Sequence, residues 1–210
     1  MSRIARSLGA LAAALAATLA ATLVSVPAAN AAQGALPGDM AMGDPKAKVT
    51  VVEYASVTCP HCGRFNADVF PAFKAKYVDT GKVRYVFREF PTDPVELAAA
   101  GFIVARCAPA DRYFAVIDTL FKGQQKLFAS QDAKTFLMDA GTAGGLSKAQ
   151  VEACLADKGQ LEDFNDRVQA AVETAKIQAT PTFVIGATKL EGEQTLAALD
   201  AVIQPLLAAR

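Results

Sequence analysis

The chain has 210 residues, a length that suits one domain or one domain with an insertion. Its 21 basic and 21 acidic side chains balance, and 52% of its residues are hydrophobic, which indicates a globular chain with a sizeable core. Because there is no basic excess, we exclude nucleic acid as a partner.

Residues 1–31 carry the features of a secretory signal peptide. Arg3 and Arg6 precede an apolar run from Leu8 to Val26, and a triplet of mostly small residues ends at Ala31. We predict cleavage near Ala31 and export of the remaining chain. The alternative is an uncleaved anchor, because about 19 apolar residues approach the roughly 17–20 that span a bilayer.

Residues 32–45 contain Gly, Pro and Met without periodicity and are predicted to form an irregular lead-in. Val49–Ala55 follows as a nearly continuous apolar run, the pattern of a strand that is buried on both faces. Glu53 interrupts this run, and a buried carboxylate is costly unless it is paired or protonated. Two interpretations stay open: a strand-end position that reaches water, or a buried acid that exchanges protons near Cys62.

The stretch Cys59-Pro60-His61-Cys62 lies between this strand and a predicted helix that continues to Tyr77. Proline suits the first helical position, so Cys59 falls at the N-cap, where unpaired backbone N–H groups stabilise a thiolate. Cys62 lies one turn further and faces the same side of the helix. The spacing predicts a redox-active disulfide between Cys59 and Cys62.

Metal and haem sites fit this motif poorly. A structural zinc site needs a second close cysteine pair, whereas Cys107 and Cys154 are 47 positions apart and His61 is the only histidine. A c-type haem site needs histidine directly after Cys62, and that position is Gly63. We therefore predict no metal and no haem at this motif.

The rest of the chain alternates between strand and helix patterns. Pro71 should kink or divide the helix after the motif. Strands are predicted at Val83–Phe90, Thr182–Gly186 and Thr188–Leu190, and a final helix at Glu193–Ala209. Between the first two of these strands the pattern predicts helices only. The first is Asp93–Ala108, with Asp93 as N-cap and Pro94 at the first helical position, and a second begins at Pro109. Shorter or later helices are predicted at Gln131–Ala140, Ser147–Asp157 and Gln160–Ile177.

With these pieces in place, the chain resembles the DsbA-like branch of the thioredoxin superfamily. The resemblance rests on Glu53–Cys62, on the helical block, and on Ala179–Val184, which occur in the family's order. It implies an α/β fold over residues 46–210: a thioredoxin fold with an all-helical domain, at about residues 93–177, inserted between the core strands.

The resemblance also implies roles for individual residues. Cys59 corresponds to the exposed nucleophile, Cys62 to its buried partner, and His61 to the residue that stabilises the Cys59 thiolate. Pro181 corresponds to the catalytic cis-proline that faces the dithiol. Together with Thr180, whose backbone an extended substrate would meet, it would form the substrate-binding loop.

Glu53 aligns with the family's buried acid, which implies a role in proton transfer. Cys107 and Cys154 recur as a pair among other members, and both lie on predicted helices. In an oxidising compartment we expect them to form a structural disulfide inside the helical block. The alternative is two separate buried thiols that act as small hydrophobic groups.

The function implied is that of a periplasmic thiol:disulfide oxidoreductase without a bound cofactor. It would donate its Cys59–Cys62 disulfide to reduced, unfolded exported proteins. A membrane redox partner of the DsbB type would then reoxidise it. The alternative is an isomerase or reductase kept reduced by a membrane electron donor, because threonine precedes the cis-proline in those branches as well. The short lead-in leaves little room for an oligomerisation segment, so we expect a monomeric oxidase.

Overall fold

The computed structural model describes residues 38–209, so the predicted signal peptide lies outside the described residues. Within this range, five strands form one mixed sheet in the order β1-β3-β2-β4-β5. The β2–β3 pair is parallel, and the other neighbouring pairs are antiparallel. The strands are β1 (Met40–Met42), β2 (Val49–Ala55), β3 (Val83–Glu89), β4 (Thr182–Ile185) and β5 (Thr188–Glu191).

The helices are divided between the sheet and a separate helical block. Those of the block follow β3 and precede β4, which confirms the predicted all-helical insertion between core strands. None of the helices in residues 38–209 has both the length and the apolar character needed to cross a bilayer. The helices are α1 (Pro60–Arg64), α2 (Phe70–Phe73), α3 (Val95–Cys107), α4 (Tyr113–Ser130), α5 (Ala133–Ala143), α6 (Lys148–Ala156), α7 (Lys158–Glu173) and α8 (Leu196–Ala208).

Strand β2 is the centre of the sheet and is buried on both faces, as its apolar run predicts. Successive side chains of a strand point to opposite faces. Val51 therefore packs into the main core, whereas Val52 packs against Ala171 and Ile177 on the other face. Glu53 shares the face of Val51 and is only 2% exposed. The strand-end interpretation of Glu53 is therefore wrong.

The helix after the redox motif is continuous but irregular. Pi-helical turns at Phe65–Val69 and Lys74–Val78 follow α1 and α2, and Pro71 lies in the first turn of α2. Proline has no N–H to give to the preceding turn. The chain accommodates Pro71 with a widened turn, in which the Phe70 N–H bonds to the Phe65 carbonyl. Pro71 therefore makes the helix irregular, as its chemistry predicts, but does not divide it.

Several other element ends differ from the sequence prediction by one to four residues. The lead-in is not irregular throughout, since Met40–Met42 pairs with Tyr85–Phe87 at the sheet edge; three residues are too few to show a period. Pro94 rather than Asp93 is the N-cap of α3, because Pro94 has an extended backbone and the helix begins at Val95. Helix α7 ends at Glu173, four residues before Ile177.

A buried carboxylate ties the insertion to the sheet. Glu89, at the end of β3, accepts hydrogen bonds from Arg106 of α3, from Tyr113 of α4 (3.0 Å) and from Arg167 of α7 (2.8 Å). Both guanidinium groups also form ion pairs with this side chain, which is fully buried. A buried carboxylate needs such partners, so the three helices are fixed relative to the active-site end of the sheet.

A disulfide bond also joins two helices of the insertion. Cys107, the last residue of α3, is bonded to Cys154 of α6, with a Cα–Cα distance of 6.4 Å. The bond spans 47 residues of sequence. Closing a loop of this length restricts the unfolded chain, which corresponds to about 4 kcal/mol in the chain-entropy model.

We expect the Cys107→Ser/Cys154→Ser variant to lose up to about 4 kcal/mol of unfolding free energy, because its unfolded chain regains the entropy of the open loop. Urea denaturation of the two proteins, each with Cys59 and Cys62 reduced, measures the difference. Peptide mass spectrometry of the unreduced wild type should contain the Cys107–Cys154 cross-link. Two free thiols in that protein would contradict the pairing.

Candidate active site

The turn between β2 and α1 is held by its own polar side chains. The Cys59 N–H bonds to the Ser56 carbonyl at 3.1 Å. The Thr58 hydroxyl donates to the Thr92 carbonyl at 2.8 Å, and the Ser56 hydroxyl accepts from the Thr92 N–H at 3.1 Å. Because Thr92 follows β3, these bonds fix the turn to the parallel neighbour of β2.

Cys59 is the N-cap of α1 and Pro60 occupies its first turn, as the motif predicts. Cys59 has an extended backbone, with φ −81° and ψ 119°, so its side chain lies over the start of the helix. Both sulfurs of the motif are free thiols. The Cys59 thiol is 7% exposed and donates to the Thr180 carbonyl at 3.4 Å.

The surroundings of Cys59 favour its thiolate. The hydrogen bond from the Cys62 thiol is the largest cause, and it lowers the pKa of Cys59 from 9.0 to about 5 despite partial burial. A side-chain hydrogen bond from Thr180 and backbone hydrogen bonds from Cys62 and His61 act in the same direction. Donors at a helix N-terminus are expected to stabilise an anion in this way.

Cys62 has the opposite character, although it lies only one turn away. It is fully buried, and burial raises its pKa far above the ordinary value. The charges of Cys59 and Glu53 raise the Cys62 pKa further. At neutral pH the pair therefore consists of one thiolate and one thiol.

Glu53 lies beneath the two sulfurs and interacts electrostatically with both. Burial, as the main cause, and the charge of Cys59 raise its pKa to about 8, against the lowering effect of a hydrogen bond from Tyr85. The Tyr85 hydroxyl donates to Glu53 Oε2 at 2.6 Å. Glu53 can therefore hold or release a proton near neutral pH.

A cavity of about 340 Å³ extends from this buried acid towards the surface. Glu53 and Tyr85 line its inner part, and Lys74 and Asp118, whose side chains are 41% and 43% exposed, line it near solvent. Asn66 in the lining donates to Asp118 at 3.2 Å. The cavity offers polar groups between Glu53 and bulk water.

The His61 ring has partners other than the Cys59 sulfur. Its side chain is 61% exposed, and Nδ1 lies 3.2 Å from Glu193 Oε2 and also contacts Arg64. Arg64 itself pairs with Glu193 at 2.9 Å. The contribution of His61 to the Cys59 pKa therefore comes from its backbone N–H. A stabilising role for the imidazole stays a prediction.

Thr180 and Pro181 lie opposite the motif, across the Cys59 sulfur. The bond between them is cis, and the Thr180 carbonyl faces that sulfur. A groove of about 610 Å³, lined by His61, Thr180 and Glu193 among others, opens beside them. His61 of the motif and Thr180 of the predicted substrate loop therefore line the same groove.

Two polar residues at the site were missed by the sequence interpretation. Gln124 of α4 is buried and bonds to the active-site turn, and Tyr85 bonds to Glu53. A signal for Gln124 exists, because it continues the apolar stripe of α4 between Leu120 and Leu127. No pattern along β3 singles out Tyr85. Within residues 38–209 no cluster of three or more His, Cys, Asp or Glu could hold a metal ion.

Comparison with known proteins gives concordant results. A family model described as thioredoxin matches residues 35–205. A Rickettsia bellii protein, named as a protein-disulfide oxidoreductase, is 34% identical over 170 residues, which cover 79% of this chain and 65% of the relative. Disulfide bond formation protein D of Bacillus subtilis is 28% identical, covering 73% and 70% of the two chains. The chain thus spans less than two thirds of the Rickettsia relative.

Solved structures give the same result over nearly the whole described chain. The crystal structure of Wolbachia pipientis alpha-DsbA1 superposes with a TM-score of 0.77 at 30% identity, and the match covers 85% of this chain and 96% of that one. The similarity therefore includes the helical insertion as well as the sheet.

We expect the reduced protein to gain stability over the oxidised protein as pH rises from 5 to 9. The Cys59 pKa is about 5 in the folded state, against an ordinary 9.0, so the folded reduced protein binds fewer protons in this window. This contribution is complete above pH 9 and is lost as pH falls through 5. The oxidised protein lacks it, because its Cys59 does not titrate.

Denaturant unfolding of both redox forms at several pH values measures this difference. Cys59→Ser is the control, since it removes the Cys59 thiol and should remove the rise in stability that this thiol contributes to the reduced form between pH 5 and 9. If the difference in unfolding free energy between the reduced and oxidised forms stays constant between pH 5 and 9, the folded protein does not stabilise the Cys59 thiolate.

Proposed function

The chain belongs to the DsbA-like thiol:disulfide oxidoreductases of the thioredoxin superfamily, and from this membership we propose that it donates a Cys59–Cys62 disulfide to reduced exported proteins. The observation that carries the proposal is the opposed character of the two thiols. A Cys59 pKa of about 5 stabilises the reduced form. Whatever stabilises the reduced form makes the corresponding disulfide a stronger oxidant.

The proposed reaction begins at the oxidised pair. A client thiolate attacks the Cys59 sulfur, a bond between client and Cys59 forms, and the Cys59–Cys62 bond breaks. The electron pair goes to Cys62, which takes up a proton and becomes a thiol. Attack on Cys59 rather than Cys62 is supported by burial, because Cys62 is fully enclosed, whereas Cys59 is 7% exposed and contacts Thr180, which lines the groove.

In the second step, another client thiolate attacks the client sulfur of the mixed disulfide. The client leaves with its own disulfide, and Cys59 leaves as a thiolate. A thiol of low pKa is a good leaving group, so the surroundings that stabilise Cys59 also favour release of the product. Two electrons have then passed from the client to the Cys59–Cys62 pair.

Glu53 is proposed to supply the proton that Cys62 needs in the first step. A buried thiolate is costly, and the raised Cys62 pKa expresses this cost. With a pKa of about 8, Glu53 is mostly protonated at neutral pH and can donate. Water in the cavity between Tyr85 and Asp118 would then restore its proton.

The remaining roles are proposed for the surface around the pair. The Thr180 backbone and Pro181 would receive an extended client segment, and the imidazole of His61 would act on the Cys59 thiolate once a client displaces its contacts with Glu193 and Arg64. Export by residues 1–31 would place the protein in the periplasm as a monomer, with a membrane partner of the DsbB type restoring the disulfide.

We expect the oxidised protein to convert a reduced two-cysteine peptide to its disulfide form, and Cys59→Ser to abolish this activity. Cys62→Ser should be inactive as well, because it cannot form the Cys59–Cys62 disulfide that takes the two electrons from the peptide. Non-reducing gels and peptide mass spectrometry measure both. The Cys107→Ser/Cys154→Ser variant is the matched control and should retain activity.

Thiol trapping in the native organism separates the two directions of exchange. An oxidase is held mainly as the Cys59–Cys62 disulfide, whereas an isomerase or reductase is held as the dithiol. A dithiol state in growing cells, with re-pairing of a scrambled client by the purified reduced protein, would replace the oxidase proposal by the isomerase alternative.

We expect Glu53→Gln to slow the first exchange step and to remove its dependence on pH near 8, once the client thiolate fraction is accounted for. The variant should also be more stable at pH 8 by on the order of a few kcal/mol. The sign follows from the raised pKa: the folded state holds the Glu53 proton between pH 4.5 and about 8, so the native carboxyl lowers stability as pH rises through this window.

Stopped-flow kinetics and denaturant unfolding measure the two effects of Glu53→Gln. Glu191→Gln, an exposed carboxylate of β5, is the matched control and should change neither. An unchanged pH profile in Glu53→Gln would assign the proton to another group.

A further inference from the structure

The active-site turn receives a hydrogen-bond donor from the helical insertion. Gln124 lies on α4 and is 5% exposed. Its Nε2 donates to the Val57 carbonyl at 2.9 Å and to the Cys59 carbonyl at 3.1 Å. Both protons of the Gln124 amide are thus bonded to backbone carbonyl oxygens of the Val57–Cys59 turn.

The Cys59 carbonyl carries a second bond that begins the helix. It accepts the Gly63 N–H at 3.1 Å, which is the first hydrogen bond of α1. The Gln124 amide therefore holds the same oxygen that starts the helix. Any movement of this carbonyl would move the Cys59 side chain relative to the N–H groups of His61 and Cys62.

Gly63 provides the space that the amide occupies. A Cβ at this position would collide with Gln124 Oε1 and would lie 3.0 Å from Gln124 Cδ. The residue directly after Cys62 and the amide on α4 are therefore a matched pair. A larger residue at 63 displaces the amide, and without the amide a gap would remain beside Gly63.

We propose that Gln124 is a positioning residue that holds the Val57–Cys59 turn, and with it the Cys59 sulfur, over the N-terminus of α1. The helical insertion then acts on the chemistry of the pair through this one amide. A purely structural glutamine would affect folding alone, whereas a positioning residue also changes how well the thiolate is stabilised. This inference rests on the proposed function of Cys59 and deepens it.

Gln124→Met tests the proposal with a side chain of similar length that has no donor. We expect the Cys59 pKa to rise and the equilibrium constant for reduction by glutathione to fall by about three- to tenfold, the effect of one net hydrogen bond. Thiolate absorbance against pH and glutathione equilibration measure the two quantities. Gln125→Met, an exposed neighbour on the same helix, should leave both at their wild-type values.

A loss of thermal stability in Gln124→Met with an unchanged Cys59 titration would overturn the proposal, because the glutamine would then be structural only. The proposed function is tested separately by the wild type. A wild-type Cys59 that titrates near 9 contradicts that function, whereas a wild-type value near 5 that Gln124→Met leaves unaltered contradicts only the positioning role.

Gly63→Ala displaces the Gln124 amide by a change in α1 and leaves the sequence of α4 unaltered. It therefore tests the proposal even if Gln124→Met does not fold. We expect it to raise the Cys59 pKa in the wild-type background. In Gln124→Ala the same change should have no effect, because the amide it displaces is absent. Additive effects of the two changes would show that the residues are not coupled.

Discussion

The position of one sulfur at the start of one helix determines the properties of the site. Cys59 lies where the first amide groups of α1 have no partners within the helix, and the Cys62 thiol points to the same place. These donors stabilise a negative charge that would be far less favourable in the unfolded chain. The free energy released when the thiolate forms is the same free energy that favours reduction of the disulfide.

The two sulfurs differ because burial changes steeply along a single helical turn. Cys59 is at the rim, near the groove, and Cys62 points into the core beneath it. A charge at the second position would lose its hydration without comparable donors, so the proton stays there. Burial acts on Glu53 in the same way. It keeps this carboxyl protonated near neutral pH until a neighbouring group takes the proton.

The helical insertion supports this arrangement from outside the sheet. Glu89 fixes three of its helices to the end of β3, and the bond between Cys107 and Cys154 joins α3 to α6. On that rigid frame, α4 presents a single buried amide to the turn that carries Cys59. Gln124 thus links the helical insertion directly to the backbone of Cys59.

Local sequence patterns predict the helices, the strands and the chemistry that depends on the order of neighbouring residues. The N-cap position of Cys59, the extent of β2 and the helical insertion follow from short-range pattern and proline placement, which act within a few residues. The distant contacts of those residues are visible only in the folded chain. Burial of Glu53 and its bond to Tyr85, the amide of Gln124 on the turn, and the contacts of the His61 ring with Glu193 all join residues far apart in the chain. Because such contacts depend on how helices and strands pack, no local pattern encodes them.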